Sequence, residues 1–328
     1  MKKRILGRTG IEVPELSMGG LFIASFAGAY EQARDTVKLA YQLGIDFVDT
    51  APGYGDSETV LGKIVAEVGK PRVLSTKLGG FPQPFLPKDR DCLMQSVETS
   101  LKKIGTDHID ILIIHEPDRP RQYDWWDDYD NYTGPVTEVL DELKKSGVIK
   151  YTGLGGTTVT EMLPIVKTGK FDVLLTAFNY SLLWREAEAF VIPEAVKQNM
   201  GIIIGSPLQQ GALAKRYDDV IERGACWLSP HRQKQYKKLY ALVDETGIPL
   251  TEMAMRFVIS NPNISCTLTG SRSPAEFQSN YDAVCKGPLP CDVLKRLDEI
   301  AAMVPFRPFE EPFGLPFGNP NYRGPGQA

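Results

Sequence analysis

Histidine is scarce in this chain: three residues, His108, His115 and His231, among 328. None is spaced with cysteines or acids in the manner of zinc ligands, so no metal site is expected. The five cysteines, Cys92, Cys226, Cys266, Cys285 and Cys291, are odd in number and form no C-x-x-C pair. Unpaired thiols in a reducing compartment follow, with the cytoplasm as the expected location. No uncharged apolar run is long enough to span a bilayer. The basic opening MKKRILGRTGIEV is broken by charge and glycine before any signal-peptide core, so none is expected. A formal charge of -4 offers no basic excess for nucleic acid or an anionic membrane. The expected partner is a small-molecule substrate, and the expected state a monomer or small homo-oligomer. A glycine fingerprint is also missing. The first strand-like segment runs into LSMGGLFIASFAG, with no G-x-G-x-x-G, which argues against an open dinucleotide-binding sheet.

What the chain does contain is alternation. Apolar runs near 16–20, 45–49, 72–77, 109–115, 149–155, 171–178, 201–206 and 265–270 make eight candidate strands. Most are continuous rather than alternating, as expected for parallel strands covered on both faces. Helical patterns separate them at 29–44, 56–69, 88–105, 136–147, 158–169, 229–247 and 251–260, several closed by glycine. Pro164 should kink or divide the helix it sits in. The pattern predicts one (β/α)₈ TIM barrel over 1–328, an α/β fold, with an N-terminal β-hairpin cap over about 1–15. Two regions break the period: a long loop after the fourth strand, at 115–135, and an irregular tail at 303–328 rich in Pro, Phe and Gly. The recurring phenylalanines at 306, 309, 313 and 317 suggest that part of the tail packs on the body of the protein, near the mouth.

Four polar residues stand where apolar runs end. IDFVDT delivers Asp49, with Tyr54 following in APGYG; PRVLSTK delivers Lys77; IDILIIH delivers His115. In a parallel barrel those ends meet on one face. The set suits acid–base work on a carbonyl or alcohol. A phenol has a pKa near 10 and is a poor proton donor or acceptor at neutral pH, but an ammonium beside it lowers that value. Lys77 is placed to act on Tyr54, Asp49 to hold Lys77, and His115 to bond the substrate oxygen or relay its proton. Singly, each could be a cap, a packing residue or a loop anchor; at successive strand ends the four together read as a site.

The segments DFVDTAPGYG, STKLG and LIIHEPD resemble those of the aldo-keto reductase superfamily, and the likeness extends through GVIKYTGLGG, FNYSLL, IIIGSPLQQGAL and TLTGSRSPAEFQSN to about residue 285. The resemblance implies a (β/α)₈ barrel that binds a nicotinamide cofactor, with Asp49, Tyr54, Lys77 and His115 as catalytic tetrad and Tyr54 as general acid or base. Branches resembling L-galactose dehydrogenase and other sugar dehydrogenases have a similar pattern. The expected activity is therefore hydride transfer between NAD(P) and a carbonyl or hydroxyl group of a small, sugar-like compound. A non-catalytic cofactor-binding sensor on the same barrel is the alternative.

Cofactor contacts are expected at two loops, in keeping with the phosphate sites common near the last strands of this fold. One contains Ser206, Leu208 and Gly211. The other contains Gly270, Ser271, Arg272, Glu276 and Asn280, with a helix start near Ser273. Family members usually carry a basic residue where this chain has Glu276. A carboxylate suits the ribose diol of NAD, whereas Arg272 could pair with the extra phosphate of NADP. The balance falls slightly toward NAD. Three more positions depart from the family pattern: Gly155-Gly156 for Ser-Asn, Ala177 for Gln and Gly205 for a stacking Tyr. For the substrate, Tyr123, Trp125 and Trp126 leave the fourth strand directly after His115 and are expected to wall the pocket, with Asp118, Asp124, Asp127 and Asp128 as candidate hydroxyl acceptors.

Overall fold

The computed structural model describes residues 1–307. The expected packing of the tail phenylalanines lies outside these residues, apart from Phe306, which is exposed.

Two short antiparallel strands open the chain, β1 (Lys3–Ile5) and β2 (Glu12–Pro14), paired Arg4↔Val13. Eight parallel strands then close into a barrel: β3 (Leu16–Gly19), β4 (Phe47–Asp49), β5 (Val73–Leu78), β6 (Ile109–His115), β7 (Ile149–Gly156), β8 (Val173–Ala177), β9 (Gly201–Gly205) and β10 (Cys266–Thr269), with β10 pairing to β3. Each matches an apolar run read from the sequence. The helices α1 (Tyr30–Gln42), α2 (Ser57–Val68), α3 (Arg90–Ile104), α4 (Pro135–Lys145) and α5 (Val159–Lys167) follow successive strands. Helix α5 is continuous through Pro164, so the expected division does not occur. The remaining helices are α6 (Glu186–Ala189), α7 (Val191–Lys197), α8 (Asp218–Arg223), α9 (Pro230–Thr246), α10 (Leu250–Ser260), α11 (Pro274–Cys285) and α12 (Cys291–Ala302). Among the described residues no helix is long and apolar enough to cross a membrane.

Three apolar clusters follow from the pleat. Side chains at i and i+2 share a face of a strand. Phe47, Val73, Ile111, Ile113, Val173, Leu175 and Ile203 fill the barrel, while Val48, Leu74, Leu112 and Ile114 pack outward against the helices. The hairpin closes the end where the strands start. Leu6 and Val13 join the barrel-interior cluster. Gly7 sits at φ +51, and a Cβ there would lie 2.2 Å from Gly201 N, so only glycine lets the turn approach β9 this closely. Arg4 ties the hairpin down by donating to the carbonyls of Ile259, Asn261 and Ile264 and pairing with Glu15.

Candidate active site

The same alternation places the site. Phe47 faces the barrel interior, so Asp49 two residues on does too; Val73 faces inward, hence Ser75 and Lys77; Ile111 and Ile113 face inward, hence His115. The register sets their heights: Asp49 lies opposite Ser75, Lys77 opposite Ile113, and His115 opposite Gly155. Tyr54 enters from the loop after β4, in a turn where its N–H donates to the Ala51 carbonyl and its own carbonyl accepts from Ser57.

All four residues converge. Lys77 Nζ lies 2.6 Å from Asp49 Oδ2 and donates to the Thr50 carbonyl at 2.8 Å. It also lies 4.8 Å from the centre of the Tyr54 ring. Tyr54 and His115 meet edge to face, with ring centroids 5.9 Å apart. Ser75 donates to the other Asp49 oxygen at 2.6 Å. Asp49 and Lys77 are each 2 % exposed, whereas Tyr54 and His115 are partly exposed and reachable. The ion pair is therefore a buried support under a reachable phenol and imidazole.

The electrostatics assign protonation states. Burial works against the charge on Lys77, but Asp49 and then Tyr54 outweigh it, and the ammonium is held above its ordinary range. Burial raises the Tyr54 pKa, opposed by the charge of Lys77; the net shift is upward, so the side chain rests as a phenol. His115 is pushed down to about 3 by burial, then by the charges of Lys77 and Arg119. It is a neutral imidazole across physiological pH.

The loop after β10 is built around Gly270–Asn280. Ser273 caps α11 by accepting from Glu276 N–H, and Glu276 returns a bond to Arg272 N–H at 2.8 Å. Glu276, read from sequence as a ribose acceptor, thus has a partner in its own turn. Asn280 donates to Ser271 Oγ, and the guanidinium of Arg272 lies over Phe22 at 4.7 Å. Thr269 Oγ1, directly before this loop, is buried with no partner among the described residues. An exposed guanidinium and an orphaned hydroxyl fit the anionic and ribose end of a dinucleotide, whereas the helix start itself is already capped. In the loop after β9, Ser206 takes φ +53. The Gly211 N–H is bound to the Leu208 carbonyl, so of the three residues read from the sequence Ser206 and Leu208 stay candidate donors.

Close packing accompanies the glycines that depart from the family pattern. A Cβ on Gly155 would lie 2.8 Å from Ile113 Cγ2, and one on Gly156 would lie 2.1 Å from Met162 Cε and 2.5 Å from Asp118 Oδ1. Asp118 fills that space and accepts from the N–H groups of Thr157 and Thr158. It clamps the segment after His115 to the start of α5, a role its position in HEPD did not reveal. Asn179 donates to the Thr157 carbonyl and Thr176 Oγ1. Ala177 and Gly205 sit side by side on paired strands.

The aromatic loop differs from expectation. Trp125 and Trp126 are 0 % and 1 % exposed and join the cluster between strands and helices. Trp126 lies against Tyr132 and Phe171, the latter preceding β8, so its ring is directed away from the mouth. Trp125 packs on Phe85 and Tyr123 behind the Gly79 backbone. A chain leaving the mouth can turn its largest apolar rings inward, where burial favours them. Tyr123 remains at the mouth, its hydroxyl 3.5 Å from where a Gly80 Cβ would stand, beside Gly53. The loop carboxylates are tied locally: Asp124 and Asp127 to Lys88, and Asp128 to the N–H groups of Asp130 and Asn131. Sequence reading also missed Ser75 and Phe22. Ser75 was accessible through its two-residue spacing from Lys77; Phe22 carried no signal.

Comparison with known proteins agrees with this geometry. The Aldo/keto reductase family model matches residues 16–302. L-galactose dehydrogenase from Arabidopsis thaliana is 28 % identical, covering 86 % of this chain and 87 % of the relative. A putative voltage-gated potassium channel subunit beta from Schizosaccharomyces pombe is 27 % identical, covering 92 % and 94 %. In fold, the holo form of an aldo-keto reductase from Bacillus halodurans superposes with a TM-score of 0.73 at 24 % identity, covering 92 % of this chain and 96 % of that one. The chain belongs to the aldo-keto reductases, a family of NAD(P)-dependent oxidoreductases acting on carbonyl and alcohol groups.

Proposed function

We propose that this protein interconverts a carbonyl and an alcohol on a small, sugar-like substrate, with Tyr54 as general acid or base. The carrying observation is the contact chain Asp49–Lys77–Tyr54–His115 at the strand ends. When bound, a nicotinamide cofactor supplies or takes the hydride. Arg272, Ser271 and Asn280, with Ser206 and Leu208, are the residues we assign to hold it. The Tyr54 phenol gives its proton to the carbonyl oxygen as negative charge grows there. Lys77, kept charged by Asp49, stabilises the phenolate left behind. Neutral His115 donates a hydrogen bond to the same oxygen and adds no charge. Tyr123 forms part of the substrate wall, with Trp125 as its backing. The likeness to a plant L-galactose dehydrogenase supports a hydroxylated substrate. The carboxylate of Glu276 in the adenosine loop supports NAD as a usable cofactor.

The test is a spectrophotometric screen of aldoses, ketones and cyclic polyols with both cofactors, on wild type and Tyr54→Phe. Turnover should fall by about 10²–10⁴-fold in the variant, with cofactor affinity nearly unchanged, because the hydroxyl acts in the transition state. Unaltered turnover removes Tyr54 from the mechanism. Cofactor binding with no turnover on any substrate favours the sensor reading, which the channel-subunit relative keeps in view.

A further inference from the structure

Phe22 lies in a short 3₁₀ turn after β3, on the opposite side of the β3–β10 seam from the adenosine loop. Two observations join it to that loop. A Cβ on Gly270 would stand 2.6 Å from Phe22 Cδ2 and 3.1 Å from Cε2, so the ring rests directly on the Gly270 backbone. The guanidinium of Arg272, two residues on, covers the same ring at 4.7 Å. The backbone of Arg272 is meanwhile fixed by Glu276, which accepts its N–H. Main chain and side chain are thus held by different partners, a carboxylate for one and an aromatic face for the other.

A guanidinium drawn to a ring by its charge spends none of its hydrogen-bond donors on the contact. Its N–H groups therefore stay available to an anion. The contact also restricts a long side chain that would otherwise lose rotamer freedom on binding. Because Glu276 stands in the same turn, the loop presents opposite charges whose balance depends on where the guanidinium is kept.

We propose that Phe22 is a positioning residue that sets cofactor discrimination: it holds Arg272 ready for the 2′-phosphate of NADP and so fixes the NADP-to-NAD affinity ratio. This rests on the reading that residues 270–280 receive the adenosine end. The ring makes no charge interaction with the cofactor and acts through Arg272 alone.

The experiment measures dissociation constants for NADPH, NADH and 2′,5′-ADP by fluorescence and calorimetry, without substrate, on wild type, Phe22→Leu, Phe22→Tyr, Arg272→Gln and the Phe22→Leu/Arg272→Gln double variant. Leucine fills space but offers no aromatic face. Phe22→Leu should weaken NADPH and 2′,5′-ADP about two- to fivefold relative to NADH, the range for a partly exposed cation–π contact. Phe22→Tyr should restore the wild-type ratio. In the Arg272→Gln background, Phe22→Leu should change the ratio no further. An unchanged ratio in Phe22→Leu overturns the proposal, as does a shift of equal size in the Arg272→Gln background. If Arg272→Gln alone moves the ratio, the adenosine-site reading survives that failure. If Arg272→Gln leaves all three affinities intact, both fall together.

Discussion

Asp49 and Lys77 form an ion pair in a place where either charge alone would be costly. Each is 2 % exposed, and the carboxylate also receives Ser75. Replacing Asp49 by Asn should therefore leave a buried ammonium without its counter-charge and destabilise the fold by about 3–5 kcal/mol. Urea denaturation of Asp49→Asn measures this; a loss below about 1 kcal/mol would show that water reaches the pair. His115 provides a second test, through pH. Its folded pKa of about 3 lies below the unfolded value of about 6.5. Its contribution to stability is complete above pH 6.5 and is lost as pH falls toward 3, because only the unfolded chain then takes up the proton. The stability difference between wild type and His115→Gln should shrink by up to about 1.4 kcal/mol per pH unit in that window. A constant difference would mean that the imidazole is solvated. These residues were legible in sequence because each ends an apolar run and each chemistry has a use for the others. Phe22 was not, since an aromatic residue in a loop carries no mark of the strand seam it will cross.

Among the elements, the barrel strands were the most legible. Strands covered on both faces read as unbroken apolar runs, and β6 was delimited from Ile109 to His115 by that signal alone. Short helices were not. Helices α6, α7 and α8 span four, seven and six residues, too few for a 3.6-residue period to declare itself. The loop from Glu116 to Gly134 shows a different limit. Its sequence places it at the mouth but does not say which way each ring turns. Trp126, packed on Phe171 and Tyr132, now reads as an anchor. Replacing it with Ala should cost about 3–5 kcal/mol of stability and leave kcat/KM of the folded enzyme nearly unchanged. A large change in kcat/KM at unchanged stability would return Trp126 to the pocket.

For the whole molecule, the two ends of the barrel divide their work. One end collects polar side chains from strand termini, while the other is stoppered by the hairpin through Leu6, Val13 and the Arg4 bonds to the last turn of α10 and the stretch that follows it. Arg4→Met should lower Tm by several degrees, through loss of charged hydrogen bonds to buried carbonyls, with kcat preserved. Thermal unfolding and steady-state rates check both halves; loss of kcat in a variant of normal Tm would show the two ends to be coupled. The hairpin was visible as a basic, glycine-bearing start, but the bonds that make it a stopper join residues more than 250 positions apart. No local pattern announces such pairs.

Carbonyl compounds are also reagents. They condense with free amines to give imines, and sugars carry that reaction on to stable glycation adducts. An enzyme of this family meets them at its own mouth, beside a lysine. Imine formation needs the lone pair of an uncharged amine. In Lys77 that pair is bound to a proton kept there by Asp49, behind a surface that exposes 2 % of the residue. The ion pair beside Tyr54 therefore also withholds from the Lys77 amine the lone pair that an imine needs. Adducts should collect on outer lysines such as Lys197, 77 % exposed at its side chain, while turnover outlasts the first of them.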